Sequence, residues 1–178
     1  MHIQFPGLDP IAILFEDRTA LAIDKPAGWM LIPFTWQRTN RNLQAAIESS
    51  IAAGNFWARS RNLKYLRHAH RLDAETTGIL LFAKSQGALN KLGDLFEQRQ
   101  VEKVYLAVVT GEPKQAVWTC QKPIGPVPNE FGRMRIELKE GKPAETGFRV
   151  LASRDGLTLI ECRPVTGRTH QIRVHLLA

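Results

Sequence analysis

Apolar residues run along the chain in short blocks bounded by turn formers, with two longer stretches at helical spacing among them. Ile11 to Phe15 has strand length, Glu16-Asp17-Arg18 reads as a turn, and Ala20 to Ile23 is a second run ending at Asp24-Lys25-Pro26-Ala27-Gly28. This pattern predicts a hairpin followed by a loop, because proline lacks a ladder donor and glycine opens the backbone. From Asn42 to Ala53, Leu43, Ala46, Ile47, Ser50 and Ile51 recur on one helical face, with Asn42 placed to cap the start and Gly54 to stop it. Asn55 to Lys64 is polar, basic and aromatic, and is expected to be an exposed loop.

Ile79 to Ala83 is too short for a helix and suits a buried strand. Ser85 then caps a predicted helix whose apolar face is Ala88, Leu89, Leu92, Leu95 and Phe96. Val101 to Thr110 alternates as a strand, with Glu102, Val104, Leu106 and Val108 on one face and Lys103, Tyr105, Ala107 and Val109 on the other. Val117 to Cys120 is a further short strand, and the prolines and glycines of Lys122 to Phe131 predict a surface-crossing loop. Met134 to Leu138, Thr146 to Leu151 and Leu157 to Cys162 complete the strands, the last two joined through Asp155-Gly156, a hairpin signal. Strands separated mostly by turns predict a mixed α/β (α+β) fold: a largely antiparallel sheet with flanking helices, in one domain spanning 1–178.

Composition changes this picture through charge. Across 178 residues, 24 Lys and Arg stand against 17 Asp and Glu, giving a net charge of +7 and a sequence pI near 9.8. Such an imbalance favours a polyanionic partner, nucleic acid being the common case. Arg38, Arg41, Arg59, Arg61, Lys64, Arg67 and Arg71 interleave with Trp36, Phe56, Trp57 and Tyr65. That suits an RNA groove offering phosphate neutralisation and base stacking; it equally suits buried aromatics beside solvated charges. Cys120 and Cys162 lack the paired spacing of a zinc or redox motif and read as reduced, buried thiols of a cytoplasmic protein. The first residues do not form a signal peptide, and no apolar run reaches membrane-spanning length.

Candidate chemistry gathers in two stretches. The first, Leu66 to Lys84, places one carboxylate, Asp73, among Arg67, His68, His70 and Arg71, in a loop that Thr76, Thr77 and Gly78 lead into a strand. A lone aspartate in a loop is commonly a turn former or cap. The second, Pro164 to His175, opens at Gly167 and puts Arg168 and Arg173 around a short helix that Thr169 can cap. Backbone donors and two arginines make an anion site; a surface helix paired to a carboxylate is the other reading.

Arg71-Leu72-Asp73-x-x-Thr76-Thr77-Gly78, Lys103-x-Tyr105-x-Ala107 and Thr166-Gly167-Arg168-Thr169-His170-Gln171-Ile172-Arg173-Val174-His175, in this order, resemble the RluA-type family of pseudouridine synthases. Asp24-Lys25-Pro26-Ala27-Gly28 and Gly141-Lys142-Pro143-Ala144-Glu145-Thr146 extend the resemblance over nearly the whole chain. Thr77 stands where the family usually has serine, which keeps the hydroxyl. Family members continue past the His-Leu-Leu-Ala segment, so the resemblance implies a catalytic domain lacking its C-terminal end and without a separate N-terminal RNA-binding domain.

The resemblance implies that Asp73 is the essential catalytic aspartate, that Tyr105 lies against the target base, and that Arg173 pairs with the aspartate. It further implies that Arg71 helps hold RNA once the base is displaced, with Lys103 and Arg168 as further substrate-binding cations. Isomerising uridine breaks the bond from the ribose anomeric carbon to a ring nitrogen and rejoins the sugar to carbon 5. No redox change or external atom enters, so no cofactor or metal is expected. The target would be flipped out of structured tRNA or rRNA. The expected partner is RNA, without DNA or membrane, and a monomer is the default. Asp73 could act as nucleophile or as base, and both routes use it charged, a form that Arg173 alongside would favour and orient. Two rival readings are a catalytically silent RNA-binding module and a metal-dependent hydrolase using His68, His70, His170 and His175. No Cys or carboxylate completes a ligand set at a recognisable spacing for the latter, and His70 and His170 are expected to make structural hydrogen bonds.

Overall fold

The hairpin anticipated from the first two apolar runs is present as β2 (Ile11–Glu16) and β3 (Ala20–Lys25), paired antiparallel. The structure, a computed structural model, describes residues 1–31 and 41–178. Trp36 and Arg38, two members of the basic and aromatic interleaving, lie outside the described residues. The chain divides into two compact units, Met1–Gln98 and Arg99–Ala178.

In the first unit, β1 (His2–Ile3), β2, β3, β4 (Arg67–His68) and β5 (Gly78–Ala83) form one antiparallel sheet in the order β1-β2-β3-β5-β4. The β3–β5 register runs from Ala20 opposite Ala83 to Lys25 opposite Gly78. Alternation sends Leu21, Ile23, Leu80 and Phe82 into the core, where they meet Leu43 and Ile47 from α1 (Leu43–Ala52). Each such side chain contributes about 1.5–3 kcal/mol by leaving water. Asn42 caps α1, its side chain accepting from the Ala45 amide at 3.1 Å. Ser85 likewise caps α3 (Gln86–Glu97) by accepting from the Ala88 amide at 3.2 Å. The apolar face of α3 is only partly covered: Ala88, Leu89, Leu92 and Phe96 are half-buried and Leu95 is exposed.

The segment expected as an exposed loop, Asn55 to Lys64, instead carries a short helix, α2 (Phe56–Arg59), that inserts Trp57 and Ala58 into the core. Trp57 is 4% exposed and meets Phe5 edge-on, ring centroids 6.3 Å apart. Leu63 is buried too, while Phe56, Arg59 and Lys64 face outward. A one-turn helix with two inward residues is too short to generate a readable period, and its polar neighbours dominate the composition.

In the second unit, β6 (Tyr105–Thr110), β7 (Val117–Cys120), β10 (Thr146–Arg154) and β11 (Leu157–Pro164) form an antiparallel sheet in the order β6-β11-β10-β7. The β10–β11 hairpin turns through Asp155 and Gly156, at φ 52° and 74°. Two consecutive positive values are the backbone that matches the twist of paired strands. Alternation along β6 is as predicted: Tyr105, Ala107 and Val109 pack toward Phe148, Ile160 and Cys162, while Leu106 and Val108 face outward. The strand begins at Tyr105, four residues later than the run of alternating residues suggests. The expected loop from Lys122 holds a further strand, β8 (Ile124–Pro126), paired with β9 (Met134–Ile136). Ile124 is buried and exchanges two backbone hydrogen bonds with Lys142. The last element is α4 (Gln171–Leu176). No described helix is long and apolar enough to cross a membrane.

Candidate active site

Asp73 sits in the loop between β4 and β5, half-buried, where its carbonyl accepts from the Thr76 amide at 3.1 Å and closes a turn over Ala74 and Glu75. The neighbouring Leu72 packs against the core, and Arg71 points outward. Upstream, the Ala69 amide donates to the Leu81 carbonyl at 2.7 Å, and His70 Nε2 accepts from the Leu81 amide at 3.1 Å. Since Nε2 accepts there, the neutral ring of His70 carries its proton on Nδ1. The upstream end of the loop is thereby tied to β5, into which its downstream end runs directly.

The middle of the loop is held from below by a buried lysine. Lys25, with none of its surface exposed, donates from Nζ to the carbonyls of Pro26 at 3.0 Å, Ala74 at 2.8 Å and Thr76 at 2.9 Å. Three donors meet three acceptors, which is the full capacity of an ammonium. The Ala74 carbonyl also accepts from the Gly28 amide at 2.9 Å. Gly28 adopts φ 79°, and an added Cβ would lie 2.9 Å from Arg41 Nη1, so glycine suits both the turn and the space. Burial pushes the Lys25 ammonium below its ordinary pKa, and the charges on Glu75 and Asp73 partly offset this. Asp73 therefore lies within the field of a buried cation contributed by its own unit.

Gln44 on α1 braces the upstream strand, donating to the Leu66 carbonyl at 2.9 Å and to Glu48 at 2.9 Å. Its Oε1 accepts from His68 Nδ1 at 2.9 Å. Burial, then the charges of Arg71 and Arg67, push His68 below the ordinary histidine range, with Glu48 opposing.

In the second unit, the Lys103 side chain crosses from the lead into β6 and donates to the Thr166 carbonyl at 2.9 Å. Burial, then the nearby Arg99 charge, push its pKa down. Arg168 Nε donates to the Pro143 carbonyl at 2.9 Å. Lys103 and Arg168 are thus brought to the same Thr166–Arg168 segment, which leads into α4 and Arg173. Tyr105 is half-buried at the start of β6, and Arg173 is exposed on α4.

Thr169 is not the cap of this helix. His170 occupies that position in a left-handed conformation, φ 54°, without a side-chain cap bond. The buried face of α4 consists of Gln171, Val174 and His175. Gln171 Oε1 accepts from the Thr166 hydroxyl at 2.7 Å and the Arg168 amide at 2.9 Å, and its Nε2 donates to the Glu145 carbonyl and Thr146 Oγ1, each at 2.9 Å. His175 Nε2 lies 2.9 Å from the Lys122 carbonyl and Nδ1 lies 2.9 Å from Thr146 Oγ1. Three of the four histidines considered as metal ligands, His68, His70 and His175, thus make hydrogen bonds, to Gln44, the Leu81 amide and Thr146.

Lys25, Gln44, Thr146, Gln171 and His175 hold these loops; all but Gln44 fall within the motifs that carry the family resemblance, but nothing in one dimension marks them as buried braces. A lysine in a Lys-Pro-Ala-Gly loop carries no signal of burial. The pairing of Gln171 and His175 at helical spacing is a further hint.

Comparison with known proteins matches residues 20–178 to the model of the family described as RNA pseudouridylate synthase. The chain is 39% identical over 170 residues to ribosomal large subunit pseudouridine synthase D of Nitrosomonas europaea, covering 95% of this chain and 46% of that protein. It is 36% identical over 175 residues to ribosomal large subunit pseudouridine synthase C of Salmonella typhi, covering 98% of this chain and 51% of that protein. The chain therefore spans about half the length of these two relatives. Among solved structures, human RNA pseudouridylate synthase domain containing 4 superposes with a TM-score of 0.71 at 28% identity, covering 92% of this chain and 62% of that one.

Proposed function

This chain belongs to the RNA pseudouridylate synthase family, and on that premise we propose that it isomerises a specific uridine in structured RNA to pseudouridine through the carboxylate of Asp73. The observation that carries the reading is the construction of the Asp73 loop. A fully buried ammonium and a glycine amide fix its backbone at Ala74 and Thr76, while Asp73 itself keeps part of its surface open to solvent. Holding a reactive group on a loop braced by buried donors is what a site needs if its geometry is to be set before substrate arrives.

The reaction breaks the bond between ribose C1′ and N1 of uracil and forms one between C1′ and C5. The hydrogen on C5 is lost to solvent, and N1 ends protonated. Asp73 serves either by attacking C1′ or by removing a ribose proton to give a glycal. Tyr105 supplies a flat face for the detached uracil and a phenolic group for proton handling. Arg173 is assigned as the cation that keeps Asp73 charged and oriented. Arg71 is assigned to the space the flipped nucleotide leaves, and Lys103 and Arg168 to holding the substrate backbone. The names of the Nitrosomonas and Salmonella relatives make large-subunit ribosomal RNA the first substrate to test, with transfer RNA the second.

The test uses RNA transcripts carrying tritium at C5 of uridine. Release of tritium to water by the parent chain, lost in Asp73→Ala while RNA binding persists, supports the proposal. Equal release by both proteins refutes the role of Asp73, and none by either on ribosomal and transfer RNA refutes the activity in favour of an RNA-binding module.

A further inference from the structure

We infer that Gln171 is the positioning residue for Arg173, acting through the buried hydrogen bonds that set helix α4 in place; the inference rests on the role given to Arg173 above. Helix α4 has six residues, and a helix so short is not held by its own hydrogen bonds. Its start lacks a side-chain cap, and His170 enters it from a left-handed conformation. Its placement therefore comes from the side chains it buries.

Val174 packs with Ile124 and Ala144, and the other two buried side chains converge on one hydroxyl. Gln171 and His175, one turn apart, are 5% and 3% exposed, and both reach Thr146 Oγ1, which is fully buried. A carbonyl only accepts, so His175 Nε2 donates to Lys122 and its Nδ1 accepts from the Thr146 hydroxyl. The hydroxyl oxygen is then left to accept from Gln171 Nε2. Gln171 completes two donor and two acceptor contacts, which joins Glu145, Thr146, Thr166 and the Arg168 amide at one carboxamide. Thr166, in turn, carries Lys103 on its carbonyl and accepts from the Glu145 amide on its hydroxyl.

Gln171 thus ties together the segments bearing Lys103, Arg168 and Arg173. Two positions on, Arg173 lies on the opposite face of α4, so a rotation of the helix about its axis would carry the guanidinium sideways with it. The network is fully satisfied at Gln171, and such buried networks specify a unique arrangement because each broken bond leaves a buried partner unpaired.

The experiment compares the 178-residue chain with Gln171→Met, Gln171→Glu, Thr146→Ser and Arg173→Ala. Two readouts are taken: amide hydrogen exchange across 171–176, and single-turnover tritium release from a large-subunit ribosomal RNA transcript labelled at C5, with RNA affinity measured separately. Gln171→Met should raise exchange in α4 while leaving β10 and β11 protected. It should slow release by about 10- to 100-fold with RNA Kd within about twofold. Gln171→Glu, whose carboxyl regains a donor when protonated, should recover rate as pH falls from about 8 to about 5.5 relative to Arg173→Ala, which has nothing to regain. Thr146→Ser, which keeps the hydroxyl, should behave as the parent. Unchanged α4 exchange in Gln171→Met, or a loosened α4 with an unchanged rate, overturns the inference. Exchange that rises equally through β10 and β11, with Kd and rate falling together in both Gln171 variants, also overturns it in favour of a purely structural role. A parent that releases no tritium refutes the function assigned above, and the exchange data then decide the anchoring of α4 alone.

Discussion

The Lys25 ammonium donates a 2.8 Å hydrogen bond to the carbonyl of Ala74, the residue that follows Asp73, across a sequence separation of 49. Because Lys25 is fully buried and also bonds Pro26 and Thr76, removing it takes a donor from three carbonyls, of which that of Ala74 still accepts from the Gly28 amide. Lys25→Met should therefore cost about 3 kcal/mol of stability, measured by denaturant unfolding. Exchange at the Thr76 amide should rise more than exchange at α1. A variant as stable as the parent would mean that the three bonds merely offset the desolvation of the charge.

A pH dependence follows from His68. Its folded-state pKa lies below the ordinary value of about 6.5, so between the two values the unfolded chain holds more protons and stability rises with pH. The favourable contribution of the neutral ring is complete above about 6.5 and is lost as pH falls toward the depressed folded value. Urea unfolding at pH 8 and pH 5 should show a steeper acid loss for the parent than for His68→Gln. Parallel profiles would remove His68 from the account.

Glu161 has its dependence at much lower pH. Hydrogen bonds from Arg163, then Arg149, lower its pKa to about 2, and Arg163 also pairs with Glu102 across the sheet face. A carboxyl whose folded pKa is depressed stabilises above its unfolded value and ceases to do so as pH falls through the folded one. The stability difference between parent and Glu161→Gln should thus narrow from about pH 4.3 down to about 2. It should also shrink in high salt, because both arginines are exposed to solvent. A difference independent of pH would point to lost packing.

Gly141 has no room for a side chain. A Cβ built there would run into the Glu137 carbonyl oxygen, and Gly141 opens the segment that delivers Glu145 and Thr146 to Gln171. Gly141→Ala should destabilise the second unit by about 3 kcal/mol or more. Gly147→Ala is the control, since its added Cβ meets only the Arg163 carbonyl at 3.9 Å. Equal thermal shifts for the two variants would contradict this packing argument.

Elements with a strong period are legible in the amino-acid sequence. The β2–β3 hairpin, α1 with its Asn42 cap, α3 with its Ser85 cap, and the Asp155-Gly156 hairpin follow from local chemistry that acts within a few residues. The short elements are not. Helix α2 and strand β8 owe their existence to what Trp57 and Ile124 pack against, which is set by distant segments. The site divides in the same way. Asp73 stands out by its motif, whereas Lys25 is recognisable only once β3 is seen to pair with β5 and bring it beneath Ala74. The misplaced cap at Thr169 has a similar cause, because α4 starts where Gln171 is anchored and not where the best capping residue lies.

The contrast between the two long strand pairings has a kinetic consequence. Strands β10 and β11 are joined by a tight turn at Asp155 and Gly156, so their pairing requires little chain closure. Lys25 and Gly78, at the end of the β3–β5 ladder, must instead meet across some fifty residues, a slower search because the loop entropy is lost before contacts compensate it. During refolding, amides of β10 and β11 should gain protection before those of Ala69 and Thr76, and pulse-labelled exchange showing the reverse order would refute this. On a ribosome β3 emerges ahead of β5 with its lysine unmatched, and the Asp73 loop acquires its support only after β5 has followed. Until then a nascent or partly unfolded chain carries the Lys25 charge without the Ala74 and Thr76 carbonyls that hold it in the fold.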